Sequence, residues 1–265
     1  MTTQTKTPPV RLLVEERRRR ILERLDTHER ATVDELVAQF RVSAVTVRGD
    51  LDALADAGSL VRSHGGALKR LDQPDVPIAI KETLHHDEKV RIGRAAAQLI
   101  REDETIILDS GTTTAEIARE LTRLKLRSLT VITNALNIAV ELATQPQIRV
   151  IMIGGILRHI SCSTVGPPAE QMLRGLHADR LFLGVDGLDP DVGLSTPDVL
   201  EAQLNALMIK VTREVTVVAD SSKFFRRTLS SIATLDDVHR IITDDKVDPQ
   251  VVAAVRARSI EVIVV

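Results

Sequence analysis

The sequence predicts an α/β fold: an N-terminal winged helix-turn-helix followed by a larger domain built on a mostly parallel sheet. Two observations carry this. Residues 32–68 hold two short amphipathic helical stretches, a tight turn and a hairpin with a glycine-rich tip. From residue 105 onward, short apolar β-rich runs at 105–109, 129–134, 149–155, 180–187, 214–223, 239–244 and 260–265 alternate with helical segments. That is the pattern of a parallel sheet covered on both faces. A length of 265 residues suits one small and one medium domain. The expected division is a disordered tail at 1–10, the head at 11–70, a linker at 71–80 and the α/β body at 81–265.

Taken in order, residues 1–10 are rich in Thr and Pro and read as the tail. Arg11 to about Thr27 reads as a helix with Leu13, Ile21, Leu22 and Leu25 on its apolar stripe. Its run Arg17–Arg20 suits either a solvated helix face or contact with phosphate. Thr32 with Glu35 three residues on is a capping box that opens the next helix, whose buried face is Val33, Leu36, Val37 and Phe40. Arg41-Val42 is the turn. Ser43 caps the second helix, with Val47, Leu51, Leu54 and Ala55 inward and Gly58 as its stop. In such a motif the second helix enters the major groove of DNA and its N-terminal residues reach base edges. Ala44, Val45, Arg48, Gly49 and Asp52 face outward, with Arg48 best placed for a guanine edge or a phosphate. Candidate DNA-binding residues are therefore Ser43, Ala44, Val45, Thr46 and Arg48, with Arg62 and His64 on the hairpin placed for backbone phosphates. The plain alternative is a helical pair and hairpin that merely pack on a larger domain. Pro74 and Pro77 mark the linker.

Composition narrows the partners. The chain has four Phe and neither Tyr nor Trp, which disfavours the aromatic stacking used on single-stranded nucleic acid. The lone Cys162 forms no internal disulfide, and no run resembles a signal peptide or a membrane span, so a cytoplasmic protein is expected. Residues 1–70 carry 13 Lys+Arg against 10 Asp+Glu, a net +3, and the remainder 22 against 27, a net −5. A basic head on an acidic body fits a DNA-binding module attached to something else. The seven His are scattered and His85-His86 are adjacent, so no metal is expected, nor any cofactor.

The polar ends of the apolar runs are the other candidate site. Ligands of open α/β sheets bind beyond the carboxyl ends of the strands. The first run leads into Asp109-Ser110-Gly111-Thr112-Thr113-Thr114 and then a helix. Glycine admits a close ligand, and hydroxyls with free N–H groups at a helix start suit a phosphate. The alternative is a plain helix cap; no Lys follows the glycine, so this is not a P-loop. Thr133-Asn134, Gly154-Gly155, Asp186-Gly187 and Asp220-Ser221-Ser222-Lys223 end later runs. Each alone is an ordinary turn signal. Glu201, on a helix beginning near Pro197, either joins them or lies on a solvated face.

Val42-Ser43, Thr46-Val47-Arg48, Asp50-Leu51, Leu54, Gly58 and the run Arg62 to Ala67 resemble the winged helix-turn-helix of DeoR-type regulators. One departure stands out: the family carries a second Arg where this chain has Gly49, which weakens a helix interior by about 1 kcal/mol relative to Ala. In the body, Leu108 to Thr113, Ile132-Thr133-Asn134, Ile153-Gly154-Gly155, Gly184 to Gly187 and Ala219 to Phe224 are similar to the sensor domain of the same family. The resemblance spans about residues 11–250. It implies a body with the fold of phosphosugar isomerases that binds a phosphorylated sugar as effector. It further implies that Gly111, Thr112, Thr113 and Thr114 cradle the phosphate, with Asp109, Asn134, Gly155, Asp186 and Lys223 around the sugar and Glu201 beside them. Many relatives have a Lys four residues after that Glu; here it is Asn205. Ser195 to Ala202 is closer to regulators of amino-sugar or galactitol-type pathways. The function implied is a repressor of sugar uptake and breakdown that binds double-stranded operator DNA as a homodimer or homotetramer, with no membrane association and no catalysis. The competing reading is a phosphosugar isomerase with an accessory head. It would need Asp186 or Glu201 as the base, and no spacing places either there.

Overall fold

The computed structural model describes residues 13–28, 30–56, 59–63, 65–68 and 75–265. The tail at 1–10, the helix stop at Gly58, His64 and residues 71–74 of the expected linker lie outside them. The chain divides between Val76 and Pro77 into two compact units.

The first unit runs α1 (Val14–His28), β1 (Arg30–Thr32), α2 (Val33–Phe40), α3 (Ala44–Asp56), β2 (Val61–Ser63) and β3 (Gly66–Leu68). The capping box forms as the sequence implies: Glu35 N–H donates to Thr32 Oγ1 at 3.2 Å, and Thr32 N–H to Glu35 Oε2 at 2.9 Å. Arg41 takes the left-handed conformation that ends α2 (φ 53°), and Ser43 Oγ accepts the Thr46 N–H at 3.1 Å to start α3. Ile21, Leu25, Leu36, Val47, Leu51 and Leu54 close the small core. The wing is a three-stranded antiparallel sheet in the order β1-β3-β2, where the sequence suggested a two-stranded hairpin. Three residues give no alternation to read, so β1 left no signal. Gly66 is needed there, because a Cβ would collide with the Ala31 carbonyl across the ladder.

The basic run of α1 is turned to the head's own acids. Arg17 Nε donates to Asp50 Oδ2 at 2.5 Å, both side chains being buried, and Arg18 Nε reaches Asp50 Oδ1 at 3.2 Å. Arg20 meets Glu16 at 2.7 Å, and Arg19 lies 3.9 Å from Glu16 and Glu23. A buried pair of this kind ties α1 to the inner side of α3.

The second unit runs α4 (Ile78–Thr83), α5 (His86–Ala97), β4 (Thr105–Leu108), α6 (Thr112–Leu121), β5 (Leu129–Thr133), α7 (Leu136–Leu142), β6 (Ile148–Met152), β7 (Ile156–Arg158), β8 (Ser163–Val165), α8 (Pro167–Leu173), β9 (Ala178–Leu183), β10 (Gly187–Asp189), β11 (Gly193–Thr196), α9 (Val199–Lys210), β12 (Thr212–Val218), β13 (Ser230–Ala233), β14 (Arg240–Thr243), α10 (Pro249–Arg256) and β15 (Glu261–Val264). All seven apolar runs become strands of one sheet, in the order β15-β14-β12-β9-β4-β5-β6. Every pairing in it is parallel. One apolar cluster contains Leu181, Leu204 and Val217, and another contains Ile106, Ile117 and Phe182. The alternation of Leu181 and Phe182 along β9 assigns the two clusters to opposite faces. The expected linker ran to residue 80, but Ile78–Ile80 open α4. Pro77 misleads here, since a proline at a helix start gives up an N–H that has no intrahelical acceptor anyway. The hairpin β7–β8 and the small antiparallel sheet β10-β11-β13 were likewise not foreseen.

The chain passes β4, β5 and β6 outward on one side, then returns to β9 on the other side of β4. A crevice opens where the order reverses, beyond the carboxyl ends of β4 and β9.

Replacing Asp50 by Ala leaves the buried Arg17 guanidinium without the carboxylate that faces it. The head of the Asp50→Ala chain is expected to lose about 3–5 kcal/mol of stability, read by urea unfolding followed by circular dichroism.

Candidate functional site

In the crevice, the loop after β4 is locked by one hydroxyl. Thr114 Oγ1 accepts the Gly111 N–H at 3.0 Å and lies 3.0 Å from the Asp109 carbonyl and 2.9 Å from that of Gly111. Thr114 is wholly buried, so it shapes the loop rather than offering its hydroxyl outward. Thr112, Thr113 and Thr114 form the first turn of α6, whose N–H groups have no acceptor within the helix. With the helix dipole they make a site for an anion. A Cβ on Gly111 would stand 3.0 Å from Thr114 Oγ1 and 3.3 Å from Asp109 Oδ1, so glycine lets the loop close on itself.

Asp109 faces Gly184 across the reversal of strand order; a Cβ on Gly184 would lie 3.4 Å from its carboxylate. Burial pushes its pKa up to about 8, against a Gly184 N–H and the Thr114 hydroxyl, and the charges of Glu201 and Asp186 add to the rise. Asp109 is thus protonated at neutral pH. Asp186, after β9, behaves oppositely: burial works to raise it, but Lys81 and Lys223 outweigh that and hold it far below the usual carboxylate range. Lys81 Nζ donates to Asp186 Oδ1 at 2.8 Å.

Glu201 lies in the first turn of α9 and is buried, not solvated. Ser110 Oγ donates to its Oε1 at 3.0 Å, Thr196 Oγ1 lies 3.3 Å from Oε2, and Arg158 Nη1 is 3.8 Å away. Burial raises its pKa despite Lys81 and Arg158. Lys223 sits in a short 3-10 turn, Ser221–Lys223, after β12, its pKa lowered by burial against the pull of Asp220 and Asp186. Lys89 on α5 is buried, donates to the Lys81 carbonyl at 2.5 Å, and is brought down to about 7 by burial and by the Lys223 charge. Asp220 completes the set: burial works to raise it, and Lys223, His85 and Lys89 hold it low.

Asp109, Ser110, Asp186, Glu201 and Lys223 therefore converge, with Gly111 and the start of α6. Asn134 and Gly155 are engaged with the strand β8. Asn134 Nδ2 donates to the Thr164 carbonyl at 3.0 Å and the Asn134 main-chain carbonyl accepts the Thr164 N–H at 2.9 Å, while Asn134 Oδ1 has no hydrogen-bond partner among the described residues. Gly155 has φ +152°, and a Cβ there would lie 2.7 Å from the Val165 carbonyl. Both hold the hairpin β7–β8, which carries Arg158 to Asp198 (3.2 Å) and Glu201. Sequence reasoning missed Lys81, Lys89, Arg158 and Thr196, and it read Ser110 only as one of a run of hydroxyls. Lys89 had a usable signal, because with Ile92, Gly93 and Ala96 it lies on the buried stripe of α5, where a lone charge is out of place.

On the head, Val45, Arg48 and Gly49 are exposed on the outer face of α3, and Ala44 is half-buried. Ser43 Oγ and Thr46 Oγ1 lie 2.8 Å apart and satisfy each other. Arg62, read as a phosphate contact, is already occupied: Nε meets Asp52 of α3 at 2.7 Å and Nη1 the Gly66 carbonyl at 2.6 Å. It straps the wing to the recognition helix.

A family model described as the DeoR C-terminal sensor domain matches residues 84–245, and one described as a DeoR-like helix-turn-helix domain matches residues 17–70. The chain is 38% identical over 253 residues to the "Putative aga operon transcriptional repressor" of Escherichia coli O157:H7, covering 94% of this chain and 93% of that protein. It is 36% identical over 232 residues to the "Transcriptional repressor AccR" of Agrobacterium fabrum, covering 87% and 92%. It is 31% identical over 224 residues to the "Glycerol-3-phosphate regulon repressor" of Escherichia coli K12, covering 84% and 88%. Among solved structures, ribose 5-phosphate isomerase A from Methanocaldococcus jannaschii aligns at a TM-score of 0.40 and 19% identity, over 53% of this chain and 55% of that one. A chain with a DNA-reading head and a ligand-sensing α/β body is a one-component transcriptional regulator. This one belongs to the DeoR family. It is a regulator and not an isomerase.

The raised pKa of Asp109 has a consequence for stability. The folded state holds its proton from about pH 4 to about pH 8, where the unfolded chain does not. This group's contribution is therefore complete below the unfolded value and is lost as pH rises through that window. Wild type is expected to lose stability relative to Asp109→Asn between pH 5 and 7, at up to about 1.4 kcal/mol per pH unit. Parallel urea titrations of the two chains at each pH measure that difference.

Proposed function

We infer that this regulator represses genes of sugar uptake and breakdown, and that a phosphorylated sugar bound in the crevice beyond β4, β9 and β12 weakens its hold on operator DNA. The observation that carries this reading is the convergence of the α6 N-terminus with Lys81, Lys89 and Lys223 at the point of strand-order reversal. Gly111 and the N–H groups of Thr112, Thr113 and Thr114 take the phosphate, and Lys89 and Lys223 supply positive charge. Protonated Asp109, ionised Asp186 and Glu201 orient sugar hydroxyls. Asn134 and Gly155 act through the hairpin that delivers Arg158. The named roles of the three relatives, in the aga operon, as a repressor and in the glycerol-3-phosphate regulon, support a carbohydrate-linked effector.

In the head, α3 enters the major groove with Val45 and Arg48 toward the bases, and Ser43 and Thr46 fix its first turn. Two half-sites require at least two heads, so the working form is a homodimer or a homotetramer. Effector and operator are linked, and each weakens the other by the same factor. Among the described residues no helix is long and apolar enough to cross a membrane. Operator DNA as partner places the site of action in the cytoplasm.

The test is fluorescence anisotropy of labelled DNA from upstream of the protein's own operon, at fixed salt, titrated with a panel of sugar phosphates. One phosphosugar is expected to release the DNA. Lys223→Met is expected to bind DNA as wild type does but to need at least about tenfold more effector. Equal sensitivity in the two chains removes Lys223 from the site, and binding that no phosphosugar alters removes the effector class.

Proton linkage gives a second check. Lys89, at about 7 in the free protein, is charged more fully when a phosphate dianion arrives. Effector binding near pH 7.5 is expected to take up a fraction of a proton, and affinity to fall as pH rises above 7. Calorimetry in two buffers of different ionisation enthalpy measures the uptake, and Lys89→Met is expected to reduce it to the part that Asp109 supplies.

A further inference from the structure

The outer face of α3 carries two features that nothing inside the head explains. Gly49 lies in the interior of a thirteen-residue helix, where glycine is the least favourable residue short of proline. It is not among the residues with positive φ, and a Cβ there would meet no atom of the described residues within 4 Å. Neither conformation nor crowding inside the protein asks for glycine. One turn earlier, Val45 leaves a β-branched apolar side chain 77% exposed. At about 100° per residue, Val45, Arg48, Gly49 and Asp52 share one sector of the helix, away from the buried Val47, Leu51 and Leu54. Asp52 is taken by Arg62 at 2.7 Å. The free part of the sector thus holds one apolar side chain, one cation and a stretch of bare backbone.

The major groove offers a single apolar feature, the C5-methyl group of thymine. A valine at the N-terminal turn of a recognition helix is placed to cover it, and a glycine one turn on lets the backbone come close to the groove floor. We propose that Val45 seats against a thymine methyl in each operator half-site, with Gly49 as the point where the α3 backbone comes nearest the bases. Arg48, on the same face, contacts the neighbouring base edge or phosphate. The proposal rests on the DNA-binding reading and adds to it which base is read and by what contact. It also gives the departure at position 49 a function, as a surface fitted to a different operator.

The experiment begins by selecting duplexes from a random-sequence library on the purified full-length chain. Each thymine of the enriched duplex is then replaced singly by deoxyuridine, which lacks only the methyl group. Affinities are read by anisotropy at one salt concentration. At one thymine per half-site the change is expected to weaken wild-type binding about three- to fivefold, the size of one buried methyl group. In Val45→Ala the same change is expected to have no measurable effect. Gly49→Ala is expected to raise the Tm, since alanine favours the helix and its Cβ has room, and yet to weaken operator binding severalfold. Wild-type indifference to every deoxyuridine, or equal sensitivity in Val45→Ala, overturns the thymine contact. A Gly49→Ala chain that binds as tightly as wild type overturns the close approach. A library that yields no enriched sequence overturns the DNA-binding reading itself, and this proposal with it.

Discussion

Reversing strand order between β4 and β9 forces neighbouring loops to diverge, and this chain fills the gap with charge. Four carboxyl groups (Asp109, Asp186, Glu201, Asp220) and three ammonium groups (Lys81, Lys89, Lys223) are held there largely out of water. Charges at that depth are costly unless each is matched. The matching is uneven: Asp186 has Lys81 at 2.8 Å and stays ionised, whereas Asp109 has only a glycine N–H and a hydroxyl and keeps its proton. Asp109 Oδ1 has no hydrogen-bond partner among the described residues. On the effector reading above, a ligand with a dianionic end stabilises the charged form of Lys89.

In the head the ion pairs do the opposite work. Arg17 and Arg18 on Asp50, and Arg62 on Asp52, spend cations on internal geometry. Asp50 fixes α3 to α1 from the inside, and Asp52 fixes it to the wing from the outside. A recognition helix held at both edges presents one orientation, which matters when specificity depends on placing a few atoms against base edges.

Much of this was legible before any coordinates. The Thr32/Glu35 capping box, the Ser43 cap, the inner face of α3 and all seven strands of the large sheet follow from local chemistry or from runs long enough to show a period. What failed to show has a physical reason in each case. β1, β7 and β8 are three residues each, too short for alternation to stand out from chance. Ile78–Ile80 sat in the shadow of Pro77, and a proline reads alike at a linker and at a helix start. The assignment of Arg62 treated a polar side chain at the right place as available. Availability depends on partners such as Asp52, distant by 10 residues in sequence. Lys81 and Arg158 join Asp186 and Glu201 through tertiary structure alone.

The two departures from the family pattern differ in kind. Gly49 is exposed and touches nothing within the described protein, so its effect falls on whatever docks there. Asn205 is buried one turn beyond Glu201 on α9, and its Oδ1 has no partner among the described residues. A lysine at 205 would stand one turn away from Glu201, near enough to favour its ionised form. With asparagine there, Glu201 has the Ser110 and Thr196 hydroxyls, the Lys81 charge and Arg158 at 3.8 Å, and burial still raises its pKa. Asn205 therefore bears on the charge balance around Glu201 inside the body, whereas Gly49 bears on the outer surface of α3 in the head.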